Sequence, residues 1–223
     1  MRTSAKRKPR GTTDGGQGKR AGQGADRRAQ ILVAALDEFS LHGFEATRLD
    51  DVAKRAHVAK GTIYLYFKDK ESLFQELLRA QIGPVIGMLE AVLAGGTKEK
   101  KPVPLRELAH RVADLFVEQV IGTRRKDIVR LILTEGPRFP KLAEFYYREV
   151  ISRGLSAFRA RAKRAVNEGE LKSDTLVRFP HLIVAPALVS IIWKSMFDKF
   201  EPLDVKALMK AQIDILFDKE ERP

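Results

Sequence analysis

An all-α fold is what the sequence predicts, on three observations. Alternating apolar and polar runs, the mark of half-buried strands, are missing. Apolar residues recur instead at three- and four-residue spacing from Asp26 to the end of the chain. Breaks such as "EGPRFP" (135–140) and "DKFEPLD" (198–204) cut that pattern into helix-length pieces. The arrangement expected is a basic arm over residues 1–25, three short helices over 26–72, and a larger helical domain over 73–223.

The arm holds six glycines and seven basic residues against one acid, Asp14, so it carries +6 of the chain's net +12. It is too polar to bury a core and is expected to be disordered. A solubilising tail and an arm laid along DNA phosphates both fit its composition. The first helix is expected after Asp26, a good N-cap, with Ile31, Ala34, Ala35 and Phe39 inward and Gly43 as its stop. The second carries Leu49, Val52, Ala53 and Ala56 on one face, with Thr47 as cap and Asp50 three residues on. A short turn, His57-Val58-Ala59, leads into a third helix. Two short helices joined by so tight a turn spell helix-turn-helix.

From about Lys70 a longer helix runs through Leu73, Phe74, Leu77, Leu78 and Ile82, and Pro84 is expected to kink or end it. "GGTKEKKPVP" (95–104) reads as a loop. Helices follow at about 105–121, 124–135, 141–167, 180–197 and 204–218, each bounded by Gly or Pro signals.

The bulk numbers exclude several classes. Lys and Arg total 41 against 29 Asp and Glu, an excess that suits polyanionic partners or simply solubility. Cysteine is absent, so disulfides, thiolate nucleophiles and Cys-ligated metals are out. The most apolar run, "LIVAPALVSIIW", spans 182–193, short of the roughly 20 residues a bilayer crossing needs. No secretory signal is recognisable, and a cytoplasmic location is expected. The four histidines make no metal spacing, and neither a phosphate loop nor a nucleophile elbow occurs. An enzyme, a cofactor, a metal and a membrane partner are therefore not expected.

The stretch "AKGTIYLYFKDK" (59–70) is the most informative. Stepping about 100° per residue puts Ile63 and Phe67 on one face of a helix and Gly61 and Leu65 on the opposite one, flanked by Thr62 and Tyr64. Tyr66 falls between the faces. Such an outer surface suits a major groove: glycine admits close approach, Leu65 can meet a thymine methyl, and hydroxyls and the amines of Lys60 and Lys70 can reach phosphates. A tyrosine at helical spacing is by itself more often a core residue with a wet tip; the combination argues for DNA.

Residues 27–74 resemble the DNA-binding region of the TetR family of transcriptional repressors. The resemblance is carried by the apolar first helix, Gly43-Phe44, Thr47, "DVAKRA", "KGTIYLYF" and Lys70-Glu71, in that order and spacing. It implies operator contacts by Lys60, Gly61, Thr62, Tyr64, Leu65 and Tyr66, with Thr47 and Lys70 on phosphates and Arg48 beside them. Two positions depart from the family: His57 stands where glycine is usual in the turn, and Ala59 where Ser or Thr is usual. Residues 130–151 look like a C-terminal domain type found in such regulators.

The last two helices are apolar on more than one side, so they need two partners. A homodimer is expected, with Leu182, Val189, Ile192, Val205, Leu208, Gln212 and Ile215 at its interface; central helices of a monomer are the plainer possibility. An unidentified small-molecule effector is expected among the middle helices, near Phe116, Arg130, Phe145, Tyr146, Tyr147 and Trp193. The whole reads as a ligand-responsive repressor that binds a palindromic double-stranded DNA operator. A non-specific helical nucleic-acid-binding protein and a helical small-molecule-binding protein without DNA function are the rivals.

Overall fold

The computed structural model describes the backbone of residues 16–95 and 103–221, with side chains from Gly24 to Asp218. Eleven α-helices and no strand occur among the described residues. They are α1 (Gly16–Ala46), α2 (Leu49–Arg55), α3 (Lys60–Tyr66), α4 (Lys70–Leu93), α5 (Leu105–Phe116), α6 (Arg125–Glu135), α7 (Pro140–Tyr146), α8 (Ser152–Asn167), α9 (Thr175–Arg178), α10 (His181–Met196) and α11 (Val205–Glu221). Single π-turns extend α5 (Val117–Ile121) and join α7 to α8 (Tyr147–Ile151).

The first helix starts at Gly16, so Asp26 lies inside it and is not its cap. The part of the expected arm from Gly16 to Ala25 is therefore helical, a correction to the composition-based reading. Low glycine propensity is a weak prior, and no proline follows Pro9 to stop the helix. Residues 1–15 of the arm lie outside the described residues. The helical path breaks at Gly43, with φ 76°. A Cβ there would strain that backbone, so the stop is fixed by conformation; the Glu135 carboxylate nearby ends a flexible side chain that could move aside.

Helix α2 ends in a Schellman motif: His57 N–H donates to Lys54 O at 3.1 Å and Val58 N–H to Ala53 O at 3.0 Å. That motif needs a left-handed residue, and His57 supplies it at φ 53°. The departure from glycine thus keeps the turn and carries its conformational cost. Thr47 does not cap α2, as the sequence suggested; the N-cap is Arg48, with no side-chain bond. Helix α4 has the capping box instead, built from Asp69 and Ser72: Ser72 N–H donates to Asp69 Oδ1 at 2.7 Å and Asp69 N–H to Ser72 Oγ at 3.0 Å.

Pro84 does not end α4; the helix runs on to Leu93 with the proline inside it. Ile82, Val85 and Ile86 are buried on both sides of the proline, so tertiary packing offsets the missing N–H.

Two main cores result. The first joins α1–α3 to α4, α6 and α7 around Phe39, Phe74 and Leu77, with Ile128 and Leu142 packed in from the later helices. Phe39, Phe44 and Phe74 meet pairwise with ring centroids 5.5 to 5.8 Å apart. The second joins the end of α4 to α5, α8, α10 and α11.

Candidate functional site

Helix α3 presents two opposed faces. Ile63 is 0% exposed and Phe67 2%, both in the first core. Leu65 is 83% exposed and Tyr64 50%, pointing away from it. Gly61 has open space where a Cβ would lie. Thr62 and Tyr66 are half-buried on the edges; the Tyr66 ring packs against the core, and its hydroxyl lies near Gly24 of α1. A short helix that spends two large apolar side chains on the core and leaves a third in water has an unfilled contact surface.

Charge gathers at the start of that helix. Lys60 Nζ lies 2.8 Å from Asp50 Oδ1 of α2, and Arg48 is exposed beside it. The hydrogen bond between them raises the pKa of Lys60 and lowers that of Asp50. Asp50 was legible as a helix-start acid but not as the partner of Lys60.

Thr47 and Lys70 are placed differently from the phosphate contacts that the resemblance implied. Thr47 is 2% exposed and its hydroxyl donates to Gly43 O at 2.7 Å. Lys70 Nζ donates to Glu45 O at 2.7 Å and Thr47 O at 3.0 Å, and sits 4.9 Å from the centroid of the Phe44 ring. Partial burial lowers its pKa. It ties α4 to the last turn of α1 and to Thr47 just beyond it.

Behind this unit lies an apolar cavity of about 190 Å³. Val85 of α4, Phe116 of α5, Val129 of α6, Tyr146 of α7, Phe158 of α8 and Ala187 of α10 represent its walls. Tyr146 is the only lining side chain with a nitrogen or oxygen atom. Burial pushes its phenol pKa well above the usual tyrosine range.

Of the six effector candidates, Phe116 and Tyr146 line the cavity; the other four lie outside its wall. Phe145 is 3% exposed in the first core, between the guanidinium groups of Arg79 and Arg148. Tyr147 is 58% exposed to solvent. Trp193 donates Nε1–H to Glu201 O at 2.7 Å and packs on Phe197. Arg130 reaches across to Ser40 O of α1, at 3.4 Å. Arg124 pairs with Asp37 and Arg138 with Glu45, so three arginines on or beside α6 grip α1. No local spacing announces that grip.

Comparison with known proteins bears on both halves. Residues 31–77 match the family described as bacterial regulatory proteins, tetR family, and residues 104–212 match the AefR-like transcriptional repressor C-terminal domain. The chain belongs to the TetR family. An uncharacterised helix-turn-helix regulator of Bacillus subtilis is 37% identical over 94 residues, 42% of this chain and 46% of that protein. The fatty acid metabolism regulator protein of the same organism is 39% identical over 61 residues, 27% of this chain and 31% of the relative. The matched stretches thus span less than half the length of these curated relatives. The regulator FadR from Bacillus subtilis, solved in complex with stearoyl-CoA, shares the fold with TM-score 0.68 at 22% identity, over 85% of this chain and 97% of that one.

This TetR-family chain leaves a second apolar face uncovered. Val189 and Ile192 of α10 and Ile215 of α11 are each at least 44% exposed, as is Met196 at 58%. Leu182, Leu208 and Gln212 are half-buried; Leu182 packs against the second core, and Gln212 Nε2 donates to Leu182 O at 3.4 Å. Val205, placed on this face by the sequence reading, is 4% exposed inside the second core. The inward stripe of α11 is Val205, Met209, Ile213 and Phe217, a four-residue spacing that separates Val205 from Leu208.

Proposed function

We propose that this chain is a ligand-responsive transcriptional repressor that binds a palindromic DNA operator as a homodimer in the cytoplasm. The observation that carries the proposal is the exposure of Leu65 at 83% directly behind a buried Ile63. Gly61 beside it admits the close approach that a groove floor requires. Arg48, Lys60 and Tyr64 supply donors to phosphates or base edges around that apolar contact.

The uncovered face of α10 and α11 supports the dimer. Pairing through it would set two α3 helices to read two half-sites, one helical turn of DNA or a multiple apart. The cavity is the effector site in this reading. Two helices that line it also hold the DNA-binding helices. Helix α4 contributes Val85 to the wall and Phe74 to the first core. Helix α6 contributes Val129 to the wall, and its neighbour Arg130 bonds α1. A ligand that binds one spacing of the recognition helices better than the other shifts their population by that difference in affinity.

Footprinting on the DNA flanking the protein's own gene tests the proposal. A two-fold symmetric protected site is expected, and Leu65→Ala and Tyr64→Ala should each weaken it at least tenfold while leaving the thermal midpoint unchanged. Binding without sequence preference and with a steep salt slope would instead favour a non-specific nucleic-acid-binding protein. For the dimer, Ile192→Asp with Ile215→Asp should halve the mass seen in sedimentation, and an unaltered mass overturns that interface.

A further inference from the structure

The geometry points to an uncharged, largely hydrocarbon ligand of about eight non-hydrogen atoms in the cavity, with its one polar group hydrogen-bonded to Tyr146. Calling that ligand an effector rests on the regulator reading above; its chemical class rests on the cavity alone.

Size comes first. A cavity of about 190 Å³ is a little larger than the roughly 150 Å³ apolar void that accepts benzene, and smaller than the ~300 Å³ at which drug-sized sites begin. A phenol or a medium-chain alcohol fits such a space, and a nucleotide-bearing thioester does not.

Charge comes second. Among the described residues the wall has no side chain of an acid, lysine, arginine, histidine, asparagine or glutamine. A carboxylate or ammonium placed there would lose its hydration and gain no counter-charge, which excludes it far more strongly than any loss of shape fit. A hydrocarbon entering covers apolar wall and gives up no hydrogen bonds of its own.

The polar group comes third. Among the described residues nothing hydrogen-bonds the Tyr146 hydroxyl, and desolvation raises its pKa further above neutrality. It can donate to an ether, carbonyl or hydroxyl oxygen, or accept from a hydroxyl. Buried tyrosine hydroxyls ordinarily have such a partner.

An independent feature marks the same place. The π-turns Val117–Ile121 and Tyr147–Ile151 both contribute to the wall, through Val120 and through Val150 and Ile151. A π-turn costs helix regularity and is found frequently at functional sites. Here each begins one residue after an aromatic of the wall, Phe116 and Tyr146.

Thermal denaturation of the full chain, with heptan-1-ol and heptanoate as matched probes at pH 7.5, tests the inference. Heptan-1-ol should raise the midpoint saturably and bind at least tenfold more tightly than heptanoate, and stearoyl-CoA should give no shift. Tyr146→Phe keeps the ring and the volume; it should weaken heptan-1-ol at least fivefold and leave toluene binding unaltered. Ala187→Leu should abolish the response to every probe. Heptanoate or stearoyl-CoA binding as tightly as heptan-1-ol, an unchanged affinity in Tyr146→Phe, or no saturable shift at all would each overturn the inference. Operator footprinting without probe reads separately. Protected DNA without heptan-1-ol binding sinks the ligand class alone, and heptan-1-ol binding without protected DNA sinks the regulator reading alone.

Discussion

Helix α3 and the cavity are both surfaces that lack a partner, but they are built in opposite ways. The outer face of α3 comes from seven consecutive residues, Lys60–Tyr66, and each side chain's direction follows from its place on one helix. The cavity wall draws on α4, α5, α6, α7, α8, α10 and α11, brought together only by the whole fold. A contiguous site can be read from spacing, whereas an assembled one waits for the packing. The two should also answer differently to mutation, which gives four ways to test the contrast.

The largest effect is expected within α3 itself. Ile63→Ala removes a side chain with 0% exposure and should cost about 2 to 4 kcal/mol of stability. Leu65→Ala, two residues on and 83% exposed, should stay within about 0.5 kcal/mol. Chemical denaturation of the pair measures the contrast. Comparable losses in both would mean that Leu65 is buried in the functional form, and the open-face argument would fail.

The cavity should respond with the opposite sign. The apolar atoms that line this space of about 190 Å³ lack packing partners on one side. Ala187→Leu fills part of it and should stabilise the chain by about 1 to 2 kcal/mol, a rise of several degrees in thermal midpoint. A lower midpoint would show that the wall cannot admit the added atoms.

What the sequence disclosed follows the same division. The opposition of Ile63 and Leu65, the break at Gly43 and the left-handed turn at His57 are local, and all were legible. Asp69 and Ser72 were equally local and were missed, although an acid three residues before a serine at a helix start is a readable capping signal. The run Phe145-Tyr146-Tyr147 shows where reading stops. One ring is in the first core, the next lines the cavity and the third faces solvent. The π-turn that begins at Tyr147 alters the helical register there, and no periodicity announces it. Arg130 was taken for a cavity residue because its contact with Ser40 spans ninety positions of sequence. Val205 was placed on the wrong stripe of α11, because at a helix's first turn three- and four-residue spacings cannot be told apart.

A smaller gain is expected at the turn before α3. His57 holds φ 53° with an ordinary L side chain, in a position where glycine costs nothing. His57→Gly should therefore stabilise the chain by about 0.5 to 1 kcal/mol, discounted for the extra freedom of the unfolded glycine. The urea midpoint measures it. A loss would show that the imidazole makes a contact worth more than the backbone strain.

The smallest effect concerns the charge at the mouth of α3. Asp50 holds Lys60 at 2.8 Å, so the ammonium meets a phosphate only by sharing or leaving that carboxylate. Asp50→Asn removes the competing charge. Operator affinity should rise a few-fold, and the salt slope should steepen by about one unit if Lys60 gains a full phosphate contact. The sign of the pH dependence is fixed by the lowered pKa of Asp50, which the hydrogen bond from Lys60 causes. The stability it lends is present above the ordinary aspartate value near pH ~3.9 and is lost only as pH falls through the lowered one. Across about pH 5 to 8 the carboxylate stays ionised, so the ratio of variant to wild-type affinity should not change. A ratio that rose steadily with pH over that range would mean that Asp50 takes up a proton when DNA binds. The repulsion between this acid and the phosphates would then outweigh its bond to Lys60, and α3 would carry a pH-dependent brake on binding in place of a fixed one.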